Sequence, residues 1–217
     1  MKGSDGLRGC LSATAPVVAI TGGIGSGKSV VSRVLRLLNH DVYDCDYAAR
    51  KIMDNSDVLK CELVDKFGRE CVSEAGIICR AEVARHVFGD DEKRLWLNQR
   101  VHALVEADLR RWAERNSGNK VLFFECAILR TSCFDRFCDG IWLVNAPDDV
   151  RIKRVVKRDH VSEESVLGRI RAQSMEYEMF DCPDITKFNN DGISALLPQI
   201  YSGLAAIMSH THNPINS

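Results

Sequence analysis

Val17-Val18-Ala19-Ile20-Thr21-Gly22-Gly23-Ile24-Gly25-Ser26-Gly27-Lys28-Ser29 is the stretch that decides the fold of this chain. Val17 to Ile20 is a short apolar run entered after Pro16 and closed by Gly22-Gly23, which predicts a buried strand, the first of its sheet. From Lys28 to Leu38 the apolar residues fall at Val30, Val31, Val34, Leu35 and Leu38, the spacing of a helix. The turn between them fits G-x-x-x-x-G-K-[ST] in the strand–loop–helix setting that its chemistry requires. Glycines let the backbone wrap an anion with its N–H groups turned inward, where side chains would clash, and the following helix adds its positive end. Gly23, Ile24, Gly25, Ser26, Gly27, Lys28 and Ser29 are therefore the expected nucleotide-binding residues. Lys28 supplies a point charge for the β- and γ-phosphates of ATP, and the Ser29 hydroxyl is the expected Mg2+ ligand. Lysine at position 28 excludes the dinucleotide fingerprint, which needs its third glycine there.

Outward from the loop, Val121 to Phe124 and Ile141 to Val144 are continuous apolar runs, as expected of strands covered on both faces. Asp41 to Asp44 and Ile185 to Phe188 read as two further short strands. Helical patterns alternate with these runs, so the expected fold is α/β, a P-loop kinase-type five-stranded parallel sheet flanked by helices. The longest pattern, about Asp90 to Arg115, carries Leu97, Val101, Leu104, Val105, Leu109 and Trp112 on one stripe. Ser194 to Met208 reads as a last helix interrupted at Pro198. The expected organisation is a flexible leader over 1–15, a nucleotide-binding core over 16–46 and 117–217 with a lid at about 148–180, and a helical acceptor-binding insertion over 47–116.

Composition bounds the partners. The 217 residues are 45% hydrophobic and 27% charged, enough apolar material for a real core. Twenty-nine basic against thirty acidic residues leave a net charge of −1. No global field draws the chain to nucleic acid or to an anionic membrane, so an anionic ligand must be held by a local site. No stretch of 18 apolar residues exists, which excludes a transmembrane helix. The mild apolar run Ala13 to Ile20 leads straight into the glycine loop, so it reads as a strand and not as a signal peptide. Nine cysteines, an odd number without any C-x-x-C, argue against a disulfide framework or a zinc site. Most of them read as small buried hydrophobes in a reducing cytoplasm.

Among nucleotide enzymes, the guanine-reading N-K-x-D element is absent, since Asn189-Asn190-Asp191-Gly192 lacks the lysine. Phe123-Phe124-Glu125 is an imperfect echo of the long acid-terminated strand of motor-type ATPases. The inserted helices and a late Arg-rich helix point instead to a small-molecule kinase. Asp44-Cys45-Asp46 ends the second strand, and strand C-termini of a parallel sheet open onto the crevice that holds the ligand. A carboxylate there orients a hydroxyl and takes its proton as the phosphoryl group arrives. The competing reading makes Asp46 the N-cap of a helix over Tyr47 to Met53. On an extended chain Asp44 and Asp46 would point to opposite sides and take different roles. Cys45 between them should react with alkylating agents and block the acceptor side. Arg151, Arg154 and Arg158, at i, i+3 and i+7, read either as a phosphate-covering helix face or as an ordinary solvated one. His102, beside the apolar stripe, reads either as a ligand-side group or as a donor to a neighbouring backbone carbonyl.

Thr21 to Ser29, then Val42-Tyr43-Asp44-Cys45-Asp46 with Arg50 four residues on, resembles the dephospho-coenzyme A kinase family. The likeness continues through Leu97-Asn98 and Val101-His102-Ala103-Leu104-Val105, Arg154 to Asp159, Arg169-Ile170 with Gln173, and Asn189-Asn190. It implies ATP-dependent phosphorylation of the ribose 3′-hydroxyl of dephospho-CoA, a small-molecule substrate, in the cytoplasm; the sequence leaves monomer or weak homo-oligomer open. It also implies Asp46 as base, with Lys28, Arg154 and Arg158 completing the catalytic set. Asp44, Asp46, Arg50 and His102 would lie on the acceptor side and Asn189-Asn190 near the adenine. The chain departs from the family at Ala127-Ile128-Leu129, where P-L-L is usual, and at Ala103, where proline follows the histidine. Alternative readings are a kinase for a nucleoside, nucleotide or shikimate-like acceptor, or a non-catalytic nucleotide-binding module.

Overall fold

β1 (Val17–Thr21) is buried at every position because it is the middle strand of a five-stranded parallel sheet, ordered β2-β3-β1-β4-β5. A computed structural model describes residues 15–118, 121–174, 176 and 185–211. The expected leader lies outside these, apart from Ala15, which is buried. β1 pairs in parallel with β3 (Leu122–Glu125) on one side and β4 (Gly140–Asn145) on the other, setting Ile20 opposite both Glu125 and Trp142. β2 (Asp41–Asp44) and β5 (Ile185–Asn189) form the edges. Helices α1 (Lys28–Leu37), α6 (Asp148–Asp159), α7 (Glu163–Ala172) and α8 (Leu196–Thr211) flank the sheet.

The chain divides into two compact units, one of residues 1–43 with 113–217 and one of residues 44–112. In the first, Val18, Ile20, Val31, Leu35, Phe123, Trp142, Val144 and Phe188 form the core. The Trp142 ring lies 5.1 Å from Phe123 and 4.7 Å from Phe188. Gly203 of α8 permits that packing, since a Cβ there would stand 2.8 Å from the Trp142 ring. α8 runs unbroken through Pro198, contrary to the interruption expected from the sequence. Proline sits in its first turn, where the missing N–H has no intrahelical partner to lose.

The second unit is helical: α2 (Cys45–Asn55), α3 (Asp57–Phe67), α4 (Arg80–Val87) and most of α5 (Asp91–Arg115). Leu59, Leu63, Phe67, Cys71, Ile78 and Val83 make its core, against which Trp96, Leu97, Val101 and Leu104 of α5 pack. Between α3 and α4 the chain forms a 3-10 turn at Arg69–Cys71 and one antiparallel bridge, Val72 to Ile78. Among the described residues no helix is long and apolar enough to cross a membrane. Cys71, Cys126 and Cys138 are buried thiols, and burial pushes Cys138 up to about 12, so it stays protonated and inert.

Candidate active site

The loop between β1 and α1 packs so closely against α6 and the end of β5 that its glycines leave no room for side chains. Gly25 (φ 77°) and Gly27 (φ 99°) adopt left-handed backbone. A Cβ on Gly27 would stand 2.0 Å from the Asn190 Nδ2 atom, and one on Gly25 2.7 Å from the Arg151 carbonyl oxygen. Gly27 caps α1 without any side-chain hydrogen bond, and no acidic residue occupies the first turn, so the positive end of the helix dipole is not offset by a carboxylate of its own. Lys28 lies along the loop, its Nζ donating to the Gly22 carbonyl at 2.7 Å. The Ser26 Oγ is buried and has no hydrogen-bond partner. A glycine-lined cradle with an unmatched hydroxyl fits the oxygens of a polyphosphate, and the exposed Ser29 hydroxyl fits a divalent ion that keeps most of its water. Among the described residues no cluster of three or more His, Cys, Asp or Glu forms a metal cage.

Helix α6 and the strand-five end hold the loop from outside. The Arg151 Nε donates to the Ile24 carbonyl at 2.9 Å, and its Nη1 to Asp148 at 2.8 Å. The Arg154 Nη1 approaches the Gly25 carbonyl at 3.4 Å, and its Nη2 approaches the Asn190 Oδ1 at 3.5 Å. Asn190 in turn donates from Nδ2 to the Ser26 carbonyl at 2.7 Å. Asn189 faces the opposite way and donates to Asp191 at 2.8 Å. Backbone N–H groups of Ser194 and Ile193 pull the Asp191 carboxyl down to about 2. Arg158 is engaged by Asp159 through a pair of hydrogen bonds at 2.6 and 3.0 Å. That bond raises the Arg158 pKa and lowers that of Asp159. At the end of β3, the Glu125 Oε2 accepts from the buried Ser32 hydroxyl at 2.7 Å, one turn beyond Ser29 on α1.

The carboxylate pair belongs to the second unit. Asp44, not Asp46, is the N-cap of α2, accepting the Tyr47 N–H at 2.9 Å. The chain is helical from Cys45 onward, so the two aspartates differ by a strand-to-helix switch and not by alternation along an extended strand. Asp46 lies in the first turn and is exposed, with exposed Arg50 one turn later on the same face. Cys45 is only 4% exposed, packed beneath the helix start, so the expected alkylation at this position does not follow. His102 is half-buried on α5, and burial lowers its pKa below the ordinary histidine value.

Two residues that brace these turns have no role assigned from the sequence. Gln173, at the end of α7, accepts the Ile24 N–H through its Oε1 at 2.9 Å. Its one sequence signal is its place behind Arg169-Ile170. Glu176, 5% exposed, accepts from the Thr131 N–H at 3.1 Å, the Thr131 hydroxyl at 2.6 Å and the Arg130 N–H. It thereby satisfies the turn after β3, and no sequence motif marks it.

Residues 16–195 match the family model described as dephospho-CoA kinase. A protein of that name from Carboxydothermus hydrogenoformans is 33% identical over 187 residues, covering 85% of this chain and 91% of the relative. Among solved structures, one from Thermus thermophilus superposes with a TM-score of 0.74 at 30% identity, covering 92% of this chain and 99% of that one. The dephospho-CoA kinase from Campylobacter jejuni superposes with a TM-score of 0.64 at 21% identity, covering 90% of this chain and 98% of that one, and shares the fold.

Proposed function

The chain belongs to the dephospho-CoA kinase family, and from that premise we propose how its own residues carry the ATP-dependent phosphorylation of the dephospho-CoA ribose 3′-hydroxyl. The other acceptor classes and the non-catalytic reading are not favoured by the family match. The observation that carries the proposal is the glycine-walled loop at the open end of α1, braced by Arg154 and Asn190. Backbone N–H groups of Gly25, Gly27, Lys28 and Ser29 and the Lys28 ammonium hold the β- and γ-phosphates of ATP. Phosphoryl transfer leaves little covalent work to the protein; positioning and charge stabilisation carry the catalysis. When bound, Mg2+ would neutralise the phosphate oxygens; Ser29 would hold it, with Asp44 or Glu125 reaching it through water.

Asp46 accepts the 3′-hydroxyl proton of the acceptor, supported by its exposure at the start of α2 and by its match to the family's acidic position. Arg50 and His102 bind the acceptor, within an insertion over 47–116. Arg154 stabilises charge on the transferring group, and Arg158 joins it once it leaves Asp159. Residues of about 148–180 serve as the lid that excludes water, without which ATP would be hydrolysed. The protein works in the cytoplasm as a monomer or weak homo-oligomer. The test is turnover with ATP and dephospho-CoA, followed by mass detection. A product heavier by one phosphoryl group, with one ADP released per product, is expected. No dephospho-CoA-dependent ADP release would overturn the reading.

A further inference from the structure

Ser26 donates its N–H to the Gly23 carbonyl at 3.1 Å, closing a β-turn whose central residues are Ile24 and Gly25. The positive φ of Gly25, 77°, is the mark of a type II turn, which differs from type I by a flip of the central peptide. That peptide joins Ile24 to Gly25. Its carbonyl takes the Arg151 Nε at 2.9 Å, and because a trans peptide is planar, the Gly25 N–H must point the opposite way. The preceding N–H, on Ile24, is held by the Gln173 Oε1, also at 2.9 Å. Two side chains, from α6 and from the end of α7, therefore grip one residue by its donor and its acceptor. Arg151 is only 13% exposed in its side chain and lies flat over Gly23, where a Cβ would stand 2.1 Å from Nη2.

We propose that Arg151 and Gln173 are positioning residues that lock the Ile24–Gly25 peptide in the orientation that aims the Gly25 N–H into the phosphate cradle. Neither residue touches the reacting atoms. The flip is a two-state choice: with both grips the turn stays type II before the nucleotide arrives, and without them the Gly25 N–H is free to turn away. This inference rests on the assignment of the loop to ATP.

Gln173→Met keeps the length of the side chain and removes the acceptor; Arg151→Met removes the donor. Each variant is expected to raise the KM for ATP about fivefold, the loss of one net hydrogen bond, while the KM for dephospho-CoA stays unchanged. Amide hydrogen exchange in the nucleotide-free wild-type enzyme gives an independent reading: the Ile24 N–H is protected. In Gln173→Met it exchanges at least tenfold faster, and Gln173→Glu, which retains an acceptor oxygen, restores protection. An unprotected Ile24 amide in the wild-type enzyme overturns the proposal even where a variant fails to fold. So does an unchanged ATP KM in both folded variants. Failure of the wild-type enzyme to bind ATP, with Ile24 protected, would instead overturn the assignment of the loop.

Discussion

The Asn190 side chain donates to the Ser26 carbonyl at 2.7 Å across 164 positions of sequence, which ties the phosphate loop to the end of the last strand. Its Oδ1 faces Arg154 at 3.5 Å, so one amide group touches both the loop and a proposed transition-state arginine. Asn190→Ala should cost about 1 kcal/mol of loop binding energy, the worth of a net hydrogen bond, and raise the KM for ATP several-fold. Initial-rate titration of ATP at saturating acceptor checks this. An unchanged KM would leave the amide a structural ornament.

Gly27→Ala should be far more severe. The residue would sit at φ 99° with its Cβ 2.0 Å from Asn190 Nδ2, so the turn must open. Calorimetric titration with ATP should detect no binding, whereas the far-UV spectrum should keep its α/β character.

The two aspartates separate by readout. Asp46→Asn removes the proposed base and should lower kcat by 100-fold or more, the usual range for general-base loss, with ATP affinity retained. Single-turnover kinetics with saturating ATP measures it, and near-normal turnover would eliminate the assignment.

Asp44→Ala removes the cap of α2 and should destabilise the protein by about 1 kcal/mol, seen as a lower urea midpoint. Asp44→Asn, which keeps the capping oxygen, should restore most of that loss.

His102 gives a pH signature. Burial lowers its folded pKa below the unfolded value, so below the unfolded pKa the unfolded chain binds more protons than the native one. Its part of the stability is intact above about 6.5, the ordinary histidine pKa, and falls as acidity increases until the lowered folded pKa is passed. His40 is lowered by burial too and adds to the same slope. Urea midpoints between pH 7.5 and 5 should therefore fall, and His102→Gln should flatten part of the curve. A slope untouched by the substitution would assign the effect elsewhere.

Much of the fold was legible because its signals are local. The glycine loop between an apolar run and a helical pattern names its own geometry, and the continuous apolar run through Trp142, Leu143 and Val144, all buried, is the mark of a strand covered on both faces. What stayed hidden depends on contacts between distant segments. Whether Asp44 or Asp46 caps α2 turns on two residues of helix boundary, which the composition of D-C-D does not specify. Pro198 looked like a break because nothing nearby marked where α8 begins. Gln173 and Glu176 are ordinary polar residues until the fold sets them against Ile24 and Thr131. Arg158 shows the reverse: its helical spacing from Arg151 is right, yet an adjacent acid engages it.

The braces on residues 22–29 come from positions 151, 154, 173 and 190. A nascent polypeptide therefore makes its anion-binding turn first and completes it almost last. Until β5 and Asn190 have cleared the ribosome, the loop lacks its outer wall and β4 lacks its edge neighbour. Ribosome-bound chains arrested before that point should fail to retain ATP, while released full-length chains bind it.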